Sequence, residues 1–88
     1  MKIVFVRNGW TDYQHWIEHD KATYRKLTKL IEECSRSPFT GTGKPEPLRR
    51  NLRGWWSRRI TDEHRLVYRV VGSGDNQALE ILQCRGHY

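Results

Sequence analysis

The sequence predicts an α/β fold of the α+β sandwich kind: a two-helix hairpin packed on one face of a mostly antiparallel, twisted sheet, in the order β-α-α-β-β-β. Three observations carry the prediction. Apolar residues recur at intervals of three and four through the first half of the chain, and at intervals of two in its last third. The two helical stretches are separated only by a break near Asp20, which suggests an antiparallel pair. The strand-like runs near the C-terminus follow one another through short polar turns and so form a meander. The 88 residues make one domain, 1–88, without repeats or low-complexity tracts. A chain of this size buries only about 60–65% of the surface that it exposes when unfolded.

Taken in order, "KIVFV" is a short β-branched run and reads as a strand. "NGWTDYQHWIEHD" places Trp10, Tyr13, Trp16 and Ile17 at helical spacing, so these four are expected to form its apolar stripe. Asp20 is a good N-cap for the second helix. That helix carries Tyr24, Leu27, Leu30, Ile31 and Cys34 on one face and stops before "SRSPF", where Pro38 prevents continuation. "TGTGKPEPL" reads as a loop. "GWWSRRI" and "RLVYRVV" flank the short polar link "TDEH", and pairing them as a hairpin across a five-residue loop sets Arg59 opposite Arg65 and Trp56 opposite Tyr68. Trp56 then faces the helices, while Trp55, Arg59 and Arg65 share an open, arginine-bearing face. "GSGDNQ" is a turn, and "ALEILQCRGHY" is the last strand, on which Arg85 and His87 share a side.

The formal net charge is +6, which favours an anionic partner. From Lys44 to Arg59 there are six basic residues, Lys44, Arg49, Arg50, Arg53, Arg58 and Arg59, against a single acid, Glu46. After Lys44 every basic residue is arginine, whose planar fork suits phosphate better than lysine's point charge. The bland alternative is a solvated basic surface. The run "IVFV" is too short for a signal-peptide core or a membrane span, so the cytoplasm is the expected compartment and no membrane partner is expected. Cys34 and Cys84 match no metal-spaced motif and read as buried thiols. No phosphate-loop fingerprint, zinc-ligand spacing or nucleophile elbow is present, and neither metal nor cofactor is expected.

A carboxylate, several arginines and a histidine remain. RNA cleavage by its own 2′-hydroxyl needs little more: a base, cations for the phosphate and an acid for the leaving 5′-oxygen. Each residue also has an ordinary reading. Glu46 between two prolines balances its basic neighbours, Arg59 and Arg65 are solvated, His64 beside the turn is structural or exposed, and His87 is a tail histidine. On the residues alone, cleavage is one of several possibilities.

The stretch "SPFTGTGKPEPLRRNLRGWWSRRITDEHRLVYRV", with the terminal "CRGHY", closely resembles the YoeB (Txe/YoeB) toxins of bacterial type II toxin–antitoxin systems, within the RelE superfamily. The resemblance extends to "DKATYRKLTKLIEE" and so covers the whole chain. It implies a RelE-like microbial ribonuclease fold and a ribosome-dependent endoribonuclease that cuts mRNA in the A site. It makes Glu46 the general base, Arg65 the ligand of the scissile phosphate, His87 the general acid and Tyr88 the residue that orients substrate or acid. Lys44, Arg49, Arg50, Arg53, Arg59 and Arg85 are expected to contact RNA or the ribosome. The implied partners are mRNA, the ribosome and a cognate YefM-like antitoxin, with homodimerisation through the aromatic-rich first helix a further expectation. Three features depart from the family pattern: Arg49 stands where lysine is familiar, Gly86 replaces an aromatic and is expected to loosen the C-terminus, and the "VGSGDNQALE" turn is longer than usual. The competing reading is a non-catalytic basic module that blocks the ribosome or gyrase by binding. His87→Ala discriminates the two, because only catalysis needs the imidazole.

Overall fold

The first strand, β1 (Lys2–Phe5), lies at one edge of a five-stranded sheet, parallel to the last strand, β5 (Ala78–Gln83). The remaining strands are antiparallel: β5 pairs with β4 (Arg65–Val71), β4 with β3 (Trp56–Arg59), and β3 with β2 (Glu46–Pro47). The sheet order is therefore β1-β5-β4-β3-β2. This computed structural model describes residues 1–88 in full. The expected four strands become five, because "KPEPL" supplies a two-residue edge strand where the composition suggested only loop. Proline is tolerated there because an edge strand has one row of backbone groups that need no partner.

Two helices follow β1: α1 (Arg7–His19) and α2 (Lys21–Arg36). Asp20 alone separates them, and its carboxylate accepts from the Thr23 N–H at 3.1 Å and the Thr23 hydroxyl at 2.8 Å, as expected for the cap of α2. The buried face of α2 is Leu27, Leu30, Ile31 and Cys34, with Tyr24 half-buried beside it. The buried face of α1 differs from the expected stripe. Trp16 is buried and Tyr13 packs against the core, but Trp10 and Ile17 are exposed, and the positions that meet the sheet are Gly9, Asp12 and Trp16. The cause is close approach: a Cβ on Gly9 would stand 2.6 Å from the Ile81 carbonyl oxygen, so only glycine lets α1 lie this near β5.

The core lies between the helices and one sheet face, where Leu27, Ile31 and Cys34 meet Ile60, Leu66, Tyr68, Leu79 and Ile81. Trp56 pairs with Tyr68 and packs against this core, on the side the alternation assigns it. Arg58 also points inward and is wholly buried, although it belongs to the basic stretch. All five of its N–H donors are used: Nε on the Tyr68 hydroxyl, Nη1 on Glu33 (2.6 Å) and the Thr42 carbonyl, and Nη2 on the carbonyls of Ser37 and Thr40. This residue fastens the loop after α2 to the sheet. Both cysteines are free and buried, and burial pushes Cys34 up to about 11 and Cys84 up to about 12. No helix is long and apolar enough to cross a membrane.

Candidate active site

Residues opposite one another in an antiparallel ladder share a face. On the face away from the helices, Glu46 is opposite Ser57, and Ser57 is opposite Val67. Arg59 and Arg65 form the neighbouring pair, in the register read from the sequence. The short β2 thus brings the only acid of the basic stretch beside the arginine pair. Glu46 is exposed and forms no ion pair, so its carboxylate does not neutralise the surrounding arginines by contact. Farther along the same face, Arg69 lies over the Trp55 ring at 4.3 Å and bonds Glu80 at 2.7 Å, which withdraws its charge from the Glu46 end.

Arg65 is not the solvated arginine that an open face implies. Only 9% of it is exposed, and Nη1 donates to the carbonyls of Thr61 (2.8 Å), Asp62 (3.1 Å) and His64 (3.1 Å). The β3–β4 connection therefore fixes the guanidinium. Nε and Nη2 make no internal hydrogen bond, and no buried side-chain nitrogen lacks a partner, so both remain available at the surface. A fork held at one corner and free along its other edge suits a phosphate oxygen pair. Arg59 is exposed and carries no such anchor.

The C-terminus reaches this face by a route that strand alternation does not describe. β5 ends at Gln83, and a bulge interrupts its pairing beside Val67 and Tyr68, so the rule that aligned Arg85 with His87 fails. The following residues are held one after another. Cys84 gives its N–H to Asp12 (3.1 Å) and its carbonyl accepts from the Trp16 indole (2.9 Å). Gly86 gives its N–H to His64 Nδ1 (2.8 Å), and its carbonyl accepts from the Arg65 backbone (3.0 Å). The Tyr88 hydroxyl bonds Ser57 Oγ at 3.1 Å. Gly86 sits beside β4 while Tyr88 touches β3, so the last two residues cross β4 on the helix-free face. Val67, under that path, is fully buried, and Ser57 nearly so. Gly86 takes a φ of +84°, a left-handed turn that glycine adopts freely, and both of its backbone groups are bonded.

His87 is exposed, with its ring 5.3 Å from that of Tyr88. Arg85 goes elsewhere: it lies beside α1, where desolvation first and the Arg85 charge second push the His15 imidazole below its ordinary value. Arg49, Arg50 and Arg53 are exposed around the single turn of 3-10 helix, Arg50–Leu52, that links β2 to β3. Lys44 lines an open cleft of about 540 Å³ with Lys26, Arg59 and Asp62. Glu46, Arg59, Arg65 and Tyr88 are therefore gathered on one face with His87 adjoining Tyr88, the arginines of the β2–β3 link flank it, and Arg85 lies apart. Sequence reasoning missed Ser57 and the hold of His64 on Gly86. Small polar residues in a strand carry no signal of their own. In chemical terms the face offers a free carboxylate, a fixed cation, an unanchored cation and an imidazole, which suffices for proton transfer around a phosphodiester.

The model of the YoeB-like toxin of bacterial type II toxin–antitoxin systems matches residues 5–88. Toxin YoeB of Escherichia coli (strain K12) is 50% identical over 88 residues, covering 100% of both chains. Among solved structures, the YoeB/ParE toxin from Agrobacterium tumefaciens is 52% identical with a TM-score of 0.95, again over 100% of both chains. A heterotetrameric YoeB–YefM toxin–antitoxin complex from Staphylococcus aureus contains a chain 39% identical, with a TM-score of 0.85, covering 100% of this chain and 98% of that one. With its fold, its C-terminal "HY" on the sheet face and a match along its whole length, the chain belongs to the YoeB-like toxins of bacterial type II toxin–antitoxin systems.

Proposed function

We propose that this toxin is a metal-independent endoribonuclease that cuts mRNA on the ribosome. The observation that carries the reading is the gathering of a free Glu46 carboxylate, the Arg59–Arg65 pair and the tethered His87–Tyr88 end on one sheet face. Glu46 takes the proton from a 2′-hydroxyl, whose oxygen attacks the adjacent phosphorus. Arg65, preset by the β3–β4 connection, and Arg59 stabilise the charge that grows on the phosphate oxygens. His87 protonates the departing 5′-oxygen, and Tyr88 orients it. Lys44, Arg49, Arg50 and Arg53 extend the anionic contact beyond the cleaved bond. The face is shallow and exposed, so it cannot impose in-line geometry on a flexible strand. The ribosome supplies that alignment.

Mapping the ends of ribosome-bound mRNA tests the proposal. A 2′,3′-cyclic phosphate and a 5′-hydroxyl are expected, lost in Glu46→Ala and His87→Ala. A 5′-phosphate, or equal cleavage with and without ribosomes, overturns it. If His87→Ala still arrests growth, blockade by binding replaces catalysis. The partner on this reading is a YefM-like antitoxin that covers or distorts the arginine face and displaces His87 and Tyr88, breaking the Tyr88–Ser57 bond. The exposed apolar side chains of β1 and α1, Ile3, Val4 and Trp10, are available for self-association.

A further inference from the structure

We propose that His64 is a positioning residue: by accepting the Gly86 N–H it sets the path of His87 and Tyr88 across the sheet. The inference rests on the ribonuclease reading, in that those two residues are taken to act on RNA.

His64 is itself held from several directions. Its ring stands edge-on to Trp16, with centroids 4.6 Å apart, and the Trp16 indole is bonded to the Cys84 carbonyl. Its own N–H donates to Thr61 Oγ1, and its carbonyl accepts from the Ile60 and Thr61 N–H groups and from Arg65 Nη1. These bonds fix the His64 backbone, and from it the ring reaches both Trp16 and the Gly86 N–H. To accept from the Gly86 amide, Nδ1 must keep its lone pair free, so the contact uses the tautomer whose proton is on Nε2.

Position 86 is also where the chain changes direction. Its left-handed φ of +84° sends the last two residues from the β5 side of β4 toward β3. Two residues span at most about 7 Å, so an uncertainty at Gly86 passes almost undiminished to His87. His64 and Arg65 are consecutive, and they hold the two sides of the same glycine: one by its imidazole, the other by its backbone N–H. The element that fixes the phosphate-binding arginine thereby also fixes the distance from it to the proton donor. A histidine beside a turn thus acts on the reaction without touching the reacting atoms.

Two substitutions separate this role from a merely structural one. His64→Phe keeps a ring against Trp16 and removes the acceptor. His64→Asn keeps an acceptor at the δ position, where Nδ1 now stands. Amide hydrogen exchange at Gly86, read relative to the amides of β4, and steady-state cleavage of ribosome-bound mRNA are measured for both and for wild type. In His64→Phe, Gly86 protection should fall about five- to tenfold and kcat about tenfold, with KM changed less than about twofold. His64→Asn should stay within about threefold of wild type in both readouts. Unchanged kcat and protection in His64→Phe overturns the proposal, as does equal loss of kcat in both variants while Gly86 stays protected. If His64→Phe does not fold, a wild-type Gly86 amide that exchanges as fast as a solvent-exposed one overturns it equally. If wild type cuts no mRNA, the ribonuclease reading falls alone, and the exchange measurement still decides whether His64 holds Gly86.

Discussion

Arg58 and Arg59 are adjacent and chemically identical, yet the strand turns them to opposite faces and gives them opposite roles. Arg58 is enclosed with every donor bonded, while Arg59 is exposed. Removing a buried cation strands its partners, so Arg58→Met should cost about 3–5 kcal/mol by chemical denaturation. Arg59→Ala should change stability by less than about 0.5 kcal/mol and fall instead on RNA cleavage. Glu33 adds a pH dependence. Hydrogen bonds from the Thr42 N–H and hydroxyl, opposed by desolvation and helped by Arg58, hold its carboxyl below the ordinary value of 4.5. The unfolded chain therefore takes up this proton at higher pH than the folded one, so Glu33 stabilises the fold above pH 4.5. That contribution is lost as pH falls from 4.5 through the lower folded value. Acid titrations of wild type and Glu33→Gln should diverge above that window and converge below it.

At the scale of elements, the C-terminal segment is a string of fixed points: Cys84 on α1, Gly86 on the β3–β4 connection and Tyr88 on β3. Only the last point involves the side chains assigned to chemistry. Deleting His87 and Tyr88 should abolish cleavage and leave the cooperative fold in place, at a cost of no more than about 2 kcal/mol from uncovering Val67. Thermal melting and circular dichroism check the fold, and end mapping checks the loss. The contact of α1 with β5 is less forgiving. Gly9→Val would force branched carbons into the Ile81 carbonyl, 2.6 Å from where even a Cβ would stand, and should destabilise by about 1–3 kcal/mol. It should also weaken the hold of Asp12 and Trp16 on Cys84.

For the whole molecule, a net charge of +6 is not spread evenly. Arg58 is neutralised in the core and Arg69 by Glu80, whereas Lys44, Arg49, Arg50, Arg53 and Arg59 remain exposed around the Glu46 end of the sheet. Attraction to RNA should accordingly be salt-sensitive. Ribosome affinity should fall by about 0.7–0.9 log units per log unit of salt for each phosphate contacted. Replacing Arg49, Arg50 and Arg53 together by glutamine should reduce the slope, and an unchanged slope would remove those residues from the interface.

The sequence by itself determined the two helices and four of the five strands, the helix hairpin with its Asp20 cap, the β3–β4 register and the pairing of Arg59 with Arg65, because these follow from local periodicity and turn length. The family motifs named Glu46, Arg65, His87 and Tyr88, which no pattern of hydrophobicity could single out. Only the tertiary structure decided that "KPEPL" closes the sheet as an edge strand, that Arg58 is core, and that Trp10 lies outside while Asp12 lies inside. It also decided that both backbone groups of Gly86 are bonded, to His64 and Arg65. Each of these depends on a partner distant in the chain: β3 for Glu46, Glu33 for Arg58, Cys84 for Asp12 and His64 for Gly86. A side chain's burial or hold is a property of such pairs, and residue spacing reports only on neighbours along the chain.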